Sequence, residues 1–146
     1  MPKRFTLVEA ESLLPQLERL LRQAIELKDG FTSAERSVDS ITERITMMGG
    51  VTVDRGRALE ARTRRDESAS SLRGAIEEVQ EIGCVIKDLD IGLVDFPTLF
   101  RGREVYLCWK LGEPAIGFWH GVDEGFAGRK AIDQEFRDHH EGDPPQ

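Results

Sequence analysis

An α+β fold, a long antiparallel helical hairpin followed by a small antiparallel β-meander, is predicted by three features of this chain. Positions 10, 13, 17, 20, 24, 27, 31, 34, 38, 41, 45 and 48 hold Ala, Leu, Leu, Leu, Ala, Leu, Phe, Ala, Val, Ile, Ile and Met. This unbroken alternation of three- and four-residue steps marks a helix that buries one seam against other helices. A second helical pattern follows the glycine pair Gly49-Gly50 and runs to Ile82. After Gly83 the apolar period drops to two, the repeat of strands.

In order, Lys3-Arg4-Phe5 reads as a short extended lead-in. Thr6 and Glu9 form a capping box, and Phe5 and Ala10 take the staple positions around it. Pro15 lies too deep for the first turn of that helix, so the pattern predicts a short helix over Leu7–Leu13 and a restart at Leu14–Pro15. The long helix then runs to about Met48. Gly30 weakens it by about 1 kcal/mol, but the seam passes through Leu27, Phe31 and Ala34 without a slip, which predicts continuity. Val51 to Arg57 is a connector. From Arg57 to Ile82 the apolar stripe is thin early and full late, and Gly83 suits the stop.

Beyond Gly83, Cys84–Lys87 and Leu93–Phe96 read as strands, with Pro97 ending the second or placing it at a sheet edge. Glu104–Trp109 alternates, with Val105, Leu107 and Trp109 on one face and Tyr106, Cys108 and Lys110 on the other. Leu111–Pro114 turns the chain into Ile116–His120 as the antiparallel partner. The meander has three or four strands, one face against the Gly83 end of the hairpin. Gly125–Arg129 is a loop and Lys130 to about Phe136 a helical turn. Residues 1–136 thus form a single domain, with 6–83 as hairpin, 84–136 as sheet and return loop, and 137–146 as a disordered acidic tail.

The formal charge is -7, of which residues 133–146 supply -4 through Asp133, Glu135, Asp138, Glu141 and Asp143 against Arg137. An acidic surface repels phosphate backbones, so no nucleic-acid partner is expected. The arginines of the second helix are interleaved with acids, as on a solvated face. No apolar run reaches the roughly 20 residues that span a bilayer, and Met1–Arg4 lacks a signal core. A cytoplasmic protein with no membrane partner is expected. Cys84 and Cys108 lie outside any metal-type spacing and read as reduced, buried small hydrophobes. No metal and no cofactor is expected.

Chemistry, if present, belongs to the residues after Gly83. Asp88 and Asp90 suit a turn. Asp95 lies in the apolar run Gly92–Pro97, where a carboxylate must be paired, and Arg103 or Arg129 is the expected partner. A zinc site gathering Cys84, Cys108, His120 and an aspartate, and a Cys108–His120 nucleophile and base pair, are chemically allowed but find no support in the spacing. A small-ligand site on the sheet would draw polar groups from Asp95, Glu113, His120 and Arg129 and apolar walls from Trp109 and Trp119. Gly125 and Gly128 with Arg129 outline an anion loop, against the simpler reading of a tight return.

Laid out in this way, the chain resembles the prokaryotic domain-of-unknown-function family 2203. The matching residues are Phe5-Thr6-Leu7 through Leu13-Leu14-Pro15, Gly83-Cys84 with Lys87-Asp88, and Gly92-Leu93-Val94-Asp95-Phe96-Pro97. Val105-Tyr106-Leu107-Cys108-Trp109, Gly112-Glu113, Trp119-His120 and Gly125-Phe126-Ala127-Gly128-Arg129 complete the set. The resemblance covers nearly the whole chain except the acidic tail. It implies a shared architecture and carries over no activity, substrate or catalytic residue.

The leading functional expectation is a self-associating interaction or assembly module, a homodimer or higher homo-oligomer formed through the hairpin, which could also take a separate protein partner. The ligand or metal site on the sheet, with or without catalysis, is the alternative. A coiled-coil cell-division role is a lower one, since any heptad seam invites that label.

Overall fold

The computed structural model describes residues 3–47 and 55–144. Helices α1 (Leu7–Ser12), α2 (Leu14–Met47) and α3 (Arg55–Ile82) precede an antiparallel sheet. Its strands are β1 (Val85–Asp88), β2 (Leu93–Phe100), β3 (Arg103–Lys110), β4 (Phe118–Gly121), β5 (Lys130–Ala131) and β6 (His140–Glu141). A last helix, α4 (Gln134–His139), lies between β5 and β6. The α+β class and the hairpin-then-sheet order are as the sequence predicts. The turn expected at Gly49-Gly50 lies outside the described residues, and α3 begins at Arg55 rather than after the expected connector.

Two compact units make up the chain: Met1–Arg22 with Glu77–Gln146, and Gln23–Ile76. In the second, α2 and α3 form the helical hairpin. Among its described residues the buried apolar ones are Ala24, Ala34, Val38, Ala61 and Ala75. Gly30 lies inside α2, exposed and with nothing within 4 Å of where a Cβ would stand, so the helix passes through it. The unslipped seam carries the helix past its weakest residue.

In the first unit the capping box is formed: Thr6 Oγ1 accepts from the Glu9 N–H and Glu9 Oε1 from the Thr6 N–H, both at 3.1 Å. Leu13 caps α1, and Pro15 falls at the second residue of α2, where a missing N–H costs no intrahelical bond. Gly83 follows α3 with φ +105°, and its N–H closes on Gln80 O at 3.0 Å. Strand order is β1-β2-β3-β4-β5, with β6 added to β2. Gly92 is required at the start of β2. Its φ is +67°, and a Cβ there would stand 2.5 Å from Leu111 Cβ.

Sheet alternation separates two faces. Val94, Phe96, Val105, Leu107 and Trp109 share one core with Phe5, Leu7, Leu17, Leu21, Val79 and Phe136. Asp95, Cys108 and His120 belong to the other face.

Three expectations are corrected. Pro97 does not end β2, which continues to Phe100. β1 pairs only as far as Asp95, and Pro97 O accepts from the Phe5 N–H at 2.8 Å. The ring nitrogen therefore faces a side where no ladder donor is needed. Lys130–Phe136 is not one helical turn, because Lys130 pairs with Trp119 and Ala131 with Phe118 before Asp133 caps α4. The stretch after 136, expected to be disordered, is docked over its described residues. Glu141 pairs with Leu99, His140 Nε2 accepts from the Leu7 N–H at 2.9 Å, and Asp143 Oδ2 accepts from the Arg4 N–H at 3.0 Å.

Candidate functional site

Register brings one group of reactive side chains together. Asp95 on β2 lies opposite Cys108 on β3, and Tyr106, two residues before Cys108, lies opposite His120 on β4. Asp95, Cys108 and His120 therefore share the face turned away from the helices. Their potential ligand atoms all lie within 4.8 Å of one another, and the three residues are 0%, 0% and 3% exposed.

The imidazole is fixed at both ends. Nδ1 lies 2.8 Å from Gly121 O and Nε2 lies 3.0 Å from Asp95 Oδ2. Asp95 Oδ1, equally buried, accepts no hydrogen bond from a described residue. The Tyr106 ring lies beside His120 with centroids 5.6 Å apart, and Lys87 Nζ stands over Tyr106. Asp95 thus finds His120 rather than the expected Arg103 or Arg129.

Arg129 is engaged at the edge of this group. Its Nη2 donates to Glu113 Oε1 at 2.7 Å and to Cys108 O at 3.3 Å, and its guanidinium lies 4.1 Å from the Phe118 ring centre and 4.7 Å from that of Phe126. Glu113 Oε1 also accepts from the Lys110 N–H, locking the β3–β4 turn. Asp95 and His120 therefore meet in space, and Glu113 with Arg129 borders them through Cys108.

Trp109 and Trp119 do not join them. Trp109 is in the core, donating from Nε1 to Glu113 O, and Trp119 stacks on Phe136. Trp119 also lines a separate cleft of about 510 Å³ with Phe100, Arg103 and Lys130. The stretch offered as an alternative anion loop is differently employed. The N–H groups of Gly128 and Arg129 close a 3₁₀ turn onto Gly125 O and Phe126 O, and the guanidinium is held by Glu113.

Cys84 is parted from Cys108 by strand parity. Val85 pairs with Asp95, so Cys84 and Ile86 fall on the helix side, where the Cys84 thiol donates to Val79 O at 3.5 Å. The sequence allows Cys84 in a metal set, and the β1–β2 register, with Val85 opposite Asp95, removes it.

Burial pushes the Cys84 thiol up to about 11. Cys108 is pushed to about 12, by burial first and then by the negative charge of Asp95, with Arg129 offsetting in part. A neutral thiol of that kind is not an activated nucleophile. The preference for neutral thiols stabilises the fold fully below the ordinary thiol value of 9.0 and is lost as pH rises through about 11 and about 12. Metal-free protein at pH 8 is therefore expected to give no reaction with a disulfide thiol reagent until denaturant is added, when both cysteines react. Thermal stability is expected to fall steadily above about pH 9. Fast labelling of either native thiol would contradict the buried placement.

No described helix is long and apolar enough to cross a membrane. Comparison with curated proteins and with solved structures gives no match. The family model for an uncharacterized conserved protein, DUF2203, matches residues 3–132, ending just before Asp133 caps α4. That match spans α1 to α3 and every residue of the buried group, and the chain belongs to the DUF2203 family.

Proposed function

We propose that the protein is a cytoplasmic assembly module that self-associates through its helical hairpin. The observation that carries this is how the seam is covered in the Gln23–Ile76 unit. Of the five buried apolar residues among its described residues four are alanine, while the bulkier Leu27, Phe31, Ile41 and Ile45 on the same seam are only partly buried. Alanines bury little area, and two paired helices without a fuller core are marginal in water. Leu59 of α3 is 66% exposed. A second hairpin from another copy would complete a four-helix arrangement over the large side chains, the usual route to a closed core for such pairs.

Sedimentation at micromolar concentration is expected to give a dimer or larger. The double variant Phe31→Glu/Ile41→Glu is expected to be monomeric, with its helical circular dichroism kept. A monomeric wild type would overturn this reading.

A further inference from the structure

We propose that Asp95, Cys108 and His120 form a binding site for one zinc ion. The site is independent of the hairpin and of the self-association proposed for it. Three different donor types converge: a carboxylate, a thiol and an imidazole, the mixed oxygen, sulfur and nitrogen set that borderline divalent metals prefer. Spacing is close to what an ion needs. Metal–ligand bonds of about 2.0–2.3 Å in a tetrahedron put donor atoms about 3.3–3.8 Å apart. Donors already within 4.8 Å of one another reach that by side-chain adjustment alone.

Hydrogen bonding gives the independent argument. Both ring nitrogens of His120 face acceptor oxygens, Gly121 O and Asp95 Oδ2, and Asp95 Oδ1 receives no donor from a described residue. Asp95 Oδ1 is a buried carboxylate oxygen with no donor from a described residue, in a setting where unpaired polar atoms are costly. A cation bound beside it would supply the missing partner. With Nδ1–H donating to Gly121 O and any proton on Nε2 released on binding, the Nε2 lone pair is free for the ion. A backbone carbonyl fixing the tautomer from behind is the usual support of a histidine ligand.

Charge also closes. On binding, the Cys108 S–H bond breaks, the sulfur keeps the electron pair and forms the S–Zn bond, and the proton leaves to solvent with any carried on Nε2. Carboxylate and thiolate then balance the dication, so the buried cluster is neutral. Arg129 contributes no surplus charge, because Glu113 holds it at 2.7 Å. Three protein donors leave a tetrahedral ion one position for a water or small anion.

The test uses full-length protein stripped of metal and titrated with cobalt(II), then zinc. A sulfur-to-cobalt charge-transfer band, intense visible absorption and saturation at one equivalent are expected, with zinc displacing cobalt. Cys108→Ser is expected to lose the charge-transfer band and weaken binding by more than about 100-fold. Cys84→Ser keeps both, and circular dichroism checks that each variant is folded. As a second measurement, protein refolded with zinc and then dialysed is expected to retain one zinc per chain by elemental analysis. Absence of metal from both experiments overturns the proposal, as does binding that survives Cys108→Ser and fails in Cys84→Ser.

Discussion

Replacing Phe136 with alanine is expected to lower the unfolding free energy by about 3–5 kcal/mol, a large share of the total for a domain of this size. The ring is 1% exposed and stacks on three others, with centroids 4.9 Å from Phe100, 5.0 Å from Trp119 and 5.4 Å from His140. Helix α4 has six residues, too few to persist without that anchor, and its only side-chain cap is Asp133 on the Phe136 N–H. Losing the ring should therefore do more than leave a cavity. It should release β6 from Leu99–Phe100 and withdraw His140 Nε2 from the Leu7 N–H at the opposite end of the chain. Denaturant titration measures the loss, and amide exchange at Leu7 should accelerate with it. A change below about 1 kcal/mol would mean that the C-terminal segment is not part of the core, since it would equal an ordinary surface or near-surface substitution.

That segment is where sequence reading failed, and the reason is physical. Residues 133–144 are polar enough to pass for a solvated tail, with a single large apolar residue, Phe136, and no period. Their order comes from long-range partners more than 130 positions away in the chain, as Leu7 and Arg4 are from His140 and Asp143. The helices were legible because their information is local. A capping box, an unslipped seam and a stop glycine each act within a few residues, and α1, α2 and the end of α3 fall where those signals place them. Pro97 misled for the opposite reason, since its tolerance depends on which neighbour faces it. That neighbour is Phe5, from the far end of the chain.

The buried group was half legible. The need of Asp95 for a partner follows from its apolar run, and alternation places Cys108 and Tyr106 together. Which partner it takes depends on the β2–β3–β4 register, and that register is set by turns whose lengths the sequence leaves open. Both tryptophans suit the site by their chemistry but are sent to the other face by their parity, Trp109 into the core and Trp119 partly buried against it. From the sequence Arg129 suits either an ion pair with Asp95 or an anion loop. Glu113, fixed by the turn hydrogen bond to Lys110, meets it first.

Asp95→Ala is expected to cost about 3–5 kcal/mol, because removing one partner leaves the other buried with its hydrogen bond unmade. Asp95→Asn keeps the shape and one bond to His120 Nε2, and should cost only about 1–2 kcal/mol. The informative protein is the double variant Asp95→Leu/His120→Leu. Replacing a buried polar pair by apolar residues of similar size is often neutral in stability, so this variant should unfold near the wild-type midpoint in the absence of metal. Zinc then separates the two roles of the pair. At a zinc concentration a hundredfold above the dissociation constant, binding to the folded state adds about 2.7 kcal/mol to the wild type. The double variant lacks two of three donors and should gain nothing. Denaturation curves with and without zinc read both quantities on the same samples. If the double variant is stable and gains as much from zinc as the wild type, the metal binds elsewhere and the Asp95–His120 contact is only a structural hydrogen bond. If it is stable and insensitive to zinc while the wild type responds, then the fold does not need these side chains, and their convergence at 3.0 Å serves the ion.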